Sequence, residues 1–232
     1  MKLLVLAGGF GTRLRSVVSE LPKALAPVNQ TPFLYYQIKN WKKQGLRDFV
    51  FLLYFQADMI ISFLESEKSG ILKNCSVKCI IEPKPLGTGG AIKYCINELS
   101  IKEKFLVTNA DTWLDSGIRE IIKNDSPSLL VIHVEDAQRY GRVTIKKKYI
   151  TSFEEKTTET SKGLINAGLA LLSPELFDLK EKSFFSLEDS IFPHLAKNGL
   201  LKGLIVNTTF IDIGIPEDYY KFISMIKKEK IK

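Results

Sequence analysis

Residues 3–14 read Leu-Leu-Val-Leu-Ala-Gly-Gly-Phe-Gly-Thr-Arg-Leu, and Leu21-Pro22-Lys23 follows shortly afterwards. The apolar run Leu3–Leu6 ends in a glycine-rich stretch that is followed by a fixed cation, Arg13. Glycines allow positive φ angles and close approach of a ligand, and successive backbone N–H groups form a concave site for an anion. A guanidinium beside such a site binds phosphate oxygens through two hydrogen bonds. The pattern predicts a buried strand followed by a phosphate-binding loop.

Two common glycine loops are excluded by the residues that follow the glycines. A P-loop requires Gly-Lys-Ser/Thr, whereas Gly11 is followed by Thr12 and Arg13. The dinucleotide fingerprint requires a small residue three positions after its second glycine, and Leu14 stands there. The alternative is an ordinary strand-to-helix turn with a solvated arginine. The presence of Lys23 directly after Pro22 favours a phosphate-binding loop over an ordinary turn.

The composition is typical of one globular domain. The chain has 232 residues, of which 45% are hydrophobic and 25% charged, and this length is sufficient for one large core. No apolar run reaches the roughly 20 residues that span a bilayer, and the N-terminal run is too short for a signal peptide. Cys75, Cys79 and Cys95 lack paired spacing, which favours reduced thiols. We expect a single cytoplasmic domain, residues 1–232, without membrane contact. The sequence leaves open whether the chain forms a homo-oligomer.

The net charge of +7 raises the question of nucleic-acid binding. The densest lysine clusters are Lys146–Lys148, which is typical of a hairpin turn, and the tail 227–232, which is typical of a helix end. Neither cluster alternates with the aromatic residues that would stack on bases. We therefore expect no nucleic-acid partner, and the positive field would instead attract small polyanionic substrates.

Strands and helices alternate in the first half of the chain, which is typical of a parallel sheet with right-handed crossovers. The predicted strands are Leu3–Ala7, Asp48–Tyr54, Val77–Ile81 and Phe105–Asn109. The predicted helices are one capped by Thr31, with Pro32 at its first position and its end at Gly45, and the segments Ala57–Glu65 and Gly89–Leu99. Such sheets bind ligands at the carboxyl ends of their strands.

The second half is richer in strands. The predicted strands are Leu129–Val134, Arg142–Ile145, Ile150–Phe153, Leu164–Leu172 and a last pair, Leu204–Val206 and Phe210–Ile213. The predicted helices are Pro174–Leu179, Leu187–Lys197 and a C-terminal helix from Pro216 with Tyr219, Phe222, Ile223 and Ile226 on one stripe. The sequence thus predicts an α/β fold with a Rossmann-like mixed, mainly parallel central sheet flanked by helices and a small antiparallel region.

Two aspartates follow or end predicted strands and are candidate Mg²⁺ ligands. Asp111 comes just after Phe105–Asn109, where an aspartate that caps the next turn is the alternative. Asp212 stands between two isoleucines, where a charge is costly to bury unless it is paired or bound to a metal. Two carboxylates from different strands would hold one cation between them.

A second glycine-rich turn, Glu82–Ala91, follows the third predicted strand. A flat base could lie against its backbone, with Glu82 accepting hydrogen bonds from a ring N–H. Guanine offers two adjacent donors that suit a carboxylate, so Glu82 favours guanine without excluding uracil or thymine. A helix entry with glycine flexibility is the alternative.

Three segments of the second half carry candidate sugar-phosphate ligands, each a weak signal alone: Arg139–Arg142, Phe153–Lys156 and Gly163–Gly168. Glutamate suits sugar hydroxyls, lysine suits a phosphate and asparagine suits either. His133 and His194 are isolated and have no cysteine partner, so zinc and histidine-base catalysis are improbable.

Taken together, these motifs resemble the sugar-1-phosphate nucleotidyltransferases, from residue 1 to about residue 222. Within that group the sequence is most similar to bacterial guanylyltransferases that act on D-glycero-α-D-manno-heptose 1-phosphate. The resemblance implies a nucleotidyltransferase fold, a mainly nucleotide-binding part (1–115) and a mainly sugar-phosphate-binding part (116–232). It also implies a nucleotide-activated sugar product for surface polysaccharide.

The resemblance implies roles for individual residues. The implied nucleotide ligands are Leu6, Ala7, Gly8, Gly9, Gly11, Thr12, Arg13, Lys23, Glu82, Gly87 and Thr88. The implied sugar-phosphate ligands are Gly141, Glu155, Lys156 and Asn166. The implied catalytic residues are Arg13, Lys23, Asp111 and Asp212, and the last two would ligate Mg²⁺. Relatives commonly have glycine where Ala110 and Ala167 stand, and we expect activity to survive both added methyl groups.

The expected reaction is attack of an ionised sugar 1-phosphate on the α-phosphorus of a nucleoside triphosphate, GTP by preference, with release of pyrophosphate. One alternative is the same chemistry with UTP, CTP or dTTP and a hexose or amino-sugar 1-phosphate. A metal-dependent glycosyltransferase usually has Asp-x-Asp, whereas this chain has Asn109-Ala110-Asp111. A non-catalytic nucleotide-binding protein would have little need of both Asp111 and Asp212.

Overall fold

The strands and helices follow the predicted order in a computed structural model that describes residues 1–154, 161–178 and 182–230. The strands are, in chain order, β1 (Lys2–Leu6), β2 (Pro27–Val28), β3 (Thr31–Pro32), β4 (Asp48–Leu53), β5 (Ser76–Ile81), β6 (Phe105–Asn109), β7 (Thr112–Leu114), β8 (Ser128–Val134), β9 (Arg142–Lys146), β10 (Tyr149–Glu154), β11 (Gly163–Leu172), β12 (Lys202–Ile205) and β13 (Phe210–Asp212). The α-helices are α1 (Phe33–Lys43), α2 (Ala57–Ser66), α3 (Gly87–Leu99), α4 (Ile118–Ile121), α5 (Phe192–Lys197) and α6 (Pro216–Lys230).

Nine of the described strands form one mixed sheet in the order β5-β4-β1-β6-β11-β8-β12-β10-β9. Strands β5, β4, β1 and β6 are parallel, and β11 runs antiparallel to β6. Because β9 pairs with both β10 and β11, the strands β11, β8, β12, β10 and β9 close into a ring. The α/β fold with a mixed central sheet and flanking helices is therefore confirmed.

The parallel strands are buried on both faces. In β1, Leu3 and Val5 belong to a core that contains Leu34 of α1 and Ile60 of α2, whereas Leu4 belongs to the core of α3 on the opposite face. This alternation follows from the two-residue period of a strand. Burial on both faces explains why β1 is a continuous apolar run.

The C-terminal helix α6 covers a third core beside the first glycine-rich loop. On the predicted stripe, Tyr219, Phe222 and Ile226 are buried and Ile223 is partly buried. The Phe222 ring lies 4.7 Å from the ring of Phe33 in α1. None of the helices in the described ranges is both long and apolar enough to cross a membrane.

The predicted cap of α1 and the predicted last strand pair are wrong. Thr31 belongs to β3, and Pro32 occupies the N-cap position without a side-chain cap. Strands β12 and β13 do not pair with each other: β12 extends the central sheet beside β8, and β13 pairs with β7 in a separate two-stranded sheet. Non-local partners therefore determine where these short strands lie.

The two predicted helices between β11 and β12 differ from a plain α-helix. Pro174–Phe177 is a 3₁₀ turn, and Leu179 lies outside the described residues. The segment from Leu187 begins as a π-turn, Leu187–Ile191, and continues as α5. Pro193 has no N–H to continue a regular ladder, which agrees with an irregular first turn.

Candidate active site

A cavity of about 450 Å³ lies at the carboxyl ends of β1 and β6. It is called the first cavity here. Most of the candidate nucleotide ligands line it, namely Leu6, Ala7, Gly8, Gly9, Gly11, Arg13, Lys23, Glu82, Gly87 and Thr88. Asp111 and Asp212 line it as well, whereas Thr12 does not and instead begins a 3₁₀ turn. The structure thus brings the two glycine-rich turns and the two aspartates together.

Each glycine of the first loop has a different structural role. Gly11 has a φ angle of +63°, a left-handed conformation that glycine adopts without strain. A Cβ atom at Gly8 would lie 2.8 Å from Oε1 of Glu82 and 3.3 Å from the backbone nitrogen of Tyr54, so glycine lets both approach without a shift. A Cβ atom at Gly9 would meet no atom within 4 Å. Gly9 therefore leaves the loop backbone open toward the cavity.

Glu82 is buried between the two glycine-rich turns. Its Oε2 accepts a hydrogen bond from the backbone N–H of Leu86 at 3.0 Å. Burial raises the pKa of Glu82 above its usual range, and the Leu86 N–H lowers this pKa in part. One carboxylate oxygen thus fixes the turn, while Oε1 lies on the side of Gly8.

The second glycine-rich turn packs against the segment 183–188, which is called the strap here. The N–H groups of Gly89 and Gly90 both donate to the carbonyl oxygen of Phe185, at 3.0 and 3.1 Å. A Cβ atom at Gly90 would lie 2.2 Å from the carbonyl oxygen of Ser183. These glycines are therefore needed to seat the strap, a role that the sequence did not indicate.

Gly90→Ala is expected to lower the free energy of unfolding by about 1–3 kcal/mol, because the added methyl group meets backbone rather than a movable side chain. Urea unfolding of the purified variant measures the change. Gly9→Ala is the matched control and is expected to unfold like the wild-type protein. Equal stability of Gly90→Ala and wild type would contradict this account of the strap.

The small sheet of β7 and β13 brings Asp111 and Asp212 together. The N–H of Ile213 donates to the carbonyl oxygen of Asp111 at 3.0 Å, and Asp212 pairs with Thr112. Burial raises the pKa of Asp212, the charge of Asp111 raises it further, and the Gly214 N–H, Lys23 and Arg13 lower it. Lys23 forms an ion pair of 2.6 Å with Asp111 and is only 14% exposed.

The carboxylates of Asp111 and Asp212 are ligands of the kind that Mg²⁺ binds. In the described ranges, no group of three or more His, Cys, Asp and Glu side chains is placed to hold a metal ion. Mg²⁺ does not need such a group, because it binds through one or two carboxylates together with water and substrate phosphates. Asp111 and Asp212 beside a phosphate loop supply the protein part of that set.

A second cavity of about 920 Å³ adjoins the first. Gly141 and Asn166 line it, whereas Glu155 and Lys156 lie outside the described residues. Asn166 is held at a β-bulge in β11, where its Oδ1 accepts from the N–H of Gly168 at 3.0 Å. The two cavities share lining residues at their junction, which are Arg13, Asn109, Thr112, Glu188 and Asp212.

Lining residues on the strap were missed from the sequence, whereas Arg139 lies in the predicted segment Arg139–Arg142. Phe184 and Glu188 of the strap line the first cavity, and Phe184 is 64% exposed. Arg139 lines the second cavity, pairs with Asp218 at the start of α6, and donates to the Tyr140 hydroxyl at 2.8 Å. Burial raises the pKa of Tyr140 to about 12. No local motif marks Phe184 and Glu188, because they reach the cavities only through tertiary contacts.

Known proteins resemble this chain over nearly its whole length. The family model described as nucleotidyl transferase matches residues 2–229. The chain is 36% identical over 228 residues to the D-glycero-alpha-D-manno-heptose 1-phosphate guanylyltransferase of Campylobacter jejuni, covering 96% of this chain and 99% of that protein. It is 32% identical over 232 residues to the probable mannose-1-phosphate guanylyltransferase 2 of Oryza sativa, covering 94% of this chain and 63% of that protein.

A solved structure has the same fold over nearly the whole chain. HddC from Yersinia pseudotuberculosis superposes with a TM-score of 0.85 at 34% sequence identity, covering 97% of this chain and 99% of that one. HddC was also solved in complex with GMP-PN, and that structure superposes with a TM-score of 0.84.

Proposed function

The chain belongs to the nucleotidyl transferase family, and from that premise we propose that it transfers GMP from GTP to D-glycero-α-D-manno-heptose 1-phosphate and releases pyrophosphate. The family predicted from the motifs is confirmed. The observation that carries the proposal is the pair of adjoining cavities, which meet at Arg13 and Asp212. The choice of GTP and heptose rests on the nearly full-length relative that carries this name and on the complex of HddC with GMP-PN.

The nucleotide is assigned to the first cavity. Its phosphates would lie on the open backbone of the first glycine loop, within reach of Arg13 and Lys23. Guanine would lie against the second glycine-rich turn, with Glu82 as acceptor for its ring donors. The sugar 1-phosphate is assigned to the second cavity, with Gly141 and Asn166 among its ligands. Glu155 and Lys156 complete this set as proposed from the family motif.

The reaction needs no general base, because the nucleophile is a phosphate oxygen that is already ionised. A bond forms between this oxygen and the α-phosphorus, while the bond from that phosphorus to the bridging oxygen breaks and pyrophosphate leaves with the electron pair. Arg13 lies at the junction of the cavities, where it can orient both phosphates. Mg²⁺ held by Asp111 and Asp212 would neutralise phosphate charge when bound. We place this reaction in the cytoplasm, where nucleoside triphosphates are available.

A substrate matrix tests the proposal. The purified protein is incubated with GTP, UTP, CTP or dTTP, each with heptose 1-phosphate, mannose 1-phosphate or glucose 1-phosphate, and pyrophosphate release and product mass are measured. We expect the fastest turnover with GTP and heptose 1-phosphate, loss of turnover in EDTA, and recovery with Mg²⁺. Faster turnover with UTP or a hexose phosphate would support the alternative substrates. Nucleotide binding without any turnover would contradict the proposal.

Glu82 predicts a pH dependence of GTP binding. The ionised carboxylate accepts from two guanine donors, and protonation removes this capacity. Because burial raises the pKa of Glu82, GTP affinity is expected to fall as the pH decreases through that raised value, above the ordinary range of glutamate. Calorimetric titration with GTP between pH 7 and pH 5 measures the effect. Glu82→Gln is expected to bind more weakly and without this dependence, and a matching pH profile in both proteins would contradict the role of Glu82.

A further inference from the structure

Glu188 occupies a position between the two cavities to which no role has been assigned. It lies on the strap and lines both the first and the second cavity. Its Oε2 accepts hydrogen bonds from the hydroxyl of Thr88 at 2.7 Å and from the hydroxyl of Ser186 at 2.9 Å. Thr88 in turn accepts a hydrogen bond from the N–H of Leu187 at 2.8 Å. The Glu188 side chain is therefore held in one place although it is exposed.

The hydrogen bonds engage only one oxygen of the Glu188 carboxylate. Thr88 lines only the first cavity, so the oxygen that accepts from its hydroxyl is engaged on the nucleotide side. Oε1 has no hydrogen bond to any described residue. Farther along the chain, Asp189 and Pro193 line only the second cavity. Because Glu188 itself also lines the second cavity, Oε1 remains as an acceptor for a ligand there.

The charge of Glu188 limits what that ligand group can be. A carboxylate repels phosphate oxygens and accepts strong hydrogen bonds from hydroxyl groups. On the basis of the proposed function, we propose that Glu188 is a specificity residue that accepts a hydrogen bond from a ring hydroxyl of the sugar 1-phosphate. Through Thr88 the same side chain also links the sugar position to the first turn of α3, against which the nucleotide is assigned.

The test is Glu188→Gln, which preserves the shape of the side chain. The amide oxygen can still accept from Thr88 and Ser186, whereas an NH₂ group replaces the acceptor oxygen Oε1. We expect the KM for heptose 1-phosphate to rise about tenfold, because a hydrogen bond to a charged acceptor is lost. The KM for GTP and the melting temperature are expected to be unchanged. Glu175→Gln is the matched control, since Glu175 is exposed and lines neither cavity.

The outcomes separate this inference from the proposed function. Absence of guanylyl transfer by the wild-type protein would contradict the proposed function itself. Wild-type turnover with an unchanged sugar KM in Glu188→Gln would overturn only the role of Glu188. A raised KM for GTP alone would instead assign the acceptor to the ribose and overturn the sugar contact. A lowered melting temperature with both KM values raised would identify Glu188 as a residue that merely holds the strap.

Discussion

Lys23→Ala is expected to lower kcat by about 10²–10³-fold with a smaller change in the KM for GTP, because one aimed cation is removed from the first cavity, where the triphosphate is proposed to lie. Lys23 is 14% exposed and forms a 2.6 Å ion pair with Asp111, so its ammonium group is held in place before substrate binds. In the substrate complex, the triphosphate would share this cation with Asp111. Steady-state pyrophosphate release with saturating sugar 1-phosphate measures the change.

Two further variants test whether the missing charge of Lys23 causes the expected loss of turnover. Lys23→Arg retains the charge but changes its geometry, and we expect it to recover part of the rate. Lys2→Ala is the control, since Lys2 also forms a carboxylate ion pair, with Asp48 at 3.0 Å, but lines neither cavity. We expect Lys2→Ala to keep wild-type turnover. Near-normal turnover of Lys23→Ala would contradict a catalytic role for Lys23.

Asp212→Asn is expected to abolish most turnover while it raises the thermal stability of the protein. The substitution removes one of the two carboxylates proposed to hold Mg²⁺, and we expect a loss of at least about 10²-fold in kcat. It also removes a charge that burial and Asp111 disfavour. The amide oxygen can still accept from the N–H of Gly214, a bond of 2.8 Å in the wild-type protein. Stability and activity should therefore change in opposite directions.

The direction of the stability change in Asp212→Asn follows from the raised pKa of Asp212 in the wild-type protein. Because the pKa of Asp212 is raised in the folded state, the wild-type protein loses stability as the pH rises through that raised value. Asp212→Asn lacks this loss, so its advantage in melting temperature is expected at neutral pH and should vanish at acid pH. Asp115→Asn, at the other end of β7, is the control because Asp115 is exposed. A lower melting temperature for Asp212→Asn at pH 7 would contradict this account.

The parallel half of the fold could be predicted because its signals are local. Strand β1 is a continuous apolar run that ends at glycines, and the stripe on α6 has helical spacing. Strands β7 and β13 have only three residues each, and they pair across about 100 positions of the chain. No short-range sequence pattern indicates a pairing of this kind. For this reason the sequence did not predict β7 and predicted the wrong partner for β13.

The candidate site also has a part that the sequence could indicate and a part that it could not. The glycine loop and Asp111 follow recognisable strand ends, and Lys23 directly follows Pro22, so the sequence could indicate them. Glu188 reaches the junction of the cavities because the strap docks on Gly89 and Gly90. The sequence shows those glycines but not what packs against them. Predicting Glu188 would have required the tertiary contact itself.

The strand β11 has a consequence for engineering the enzyme. Leu169–Leu172 pair with β6 on one side, while β8 pairs on the other side with Gly163–Asn166 and, beyond the bulge at Gly168, with Ala170 and Leu171. One continuous strand therefore connects the parallel strands to the ring, and under the proposed function it would fix how far apart the two substrates lie and at what angle they meet. A chimera that exchanges the part proposed to bind the sugar phosphate between relatives should keep β11 intact from a single parent. A join within the strand would shift the attacking oxygen relative to the phosphorus even if both halves folded.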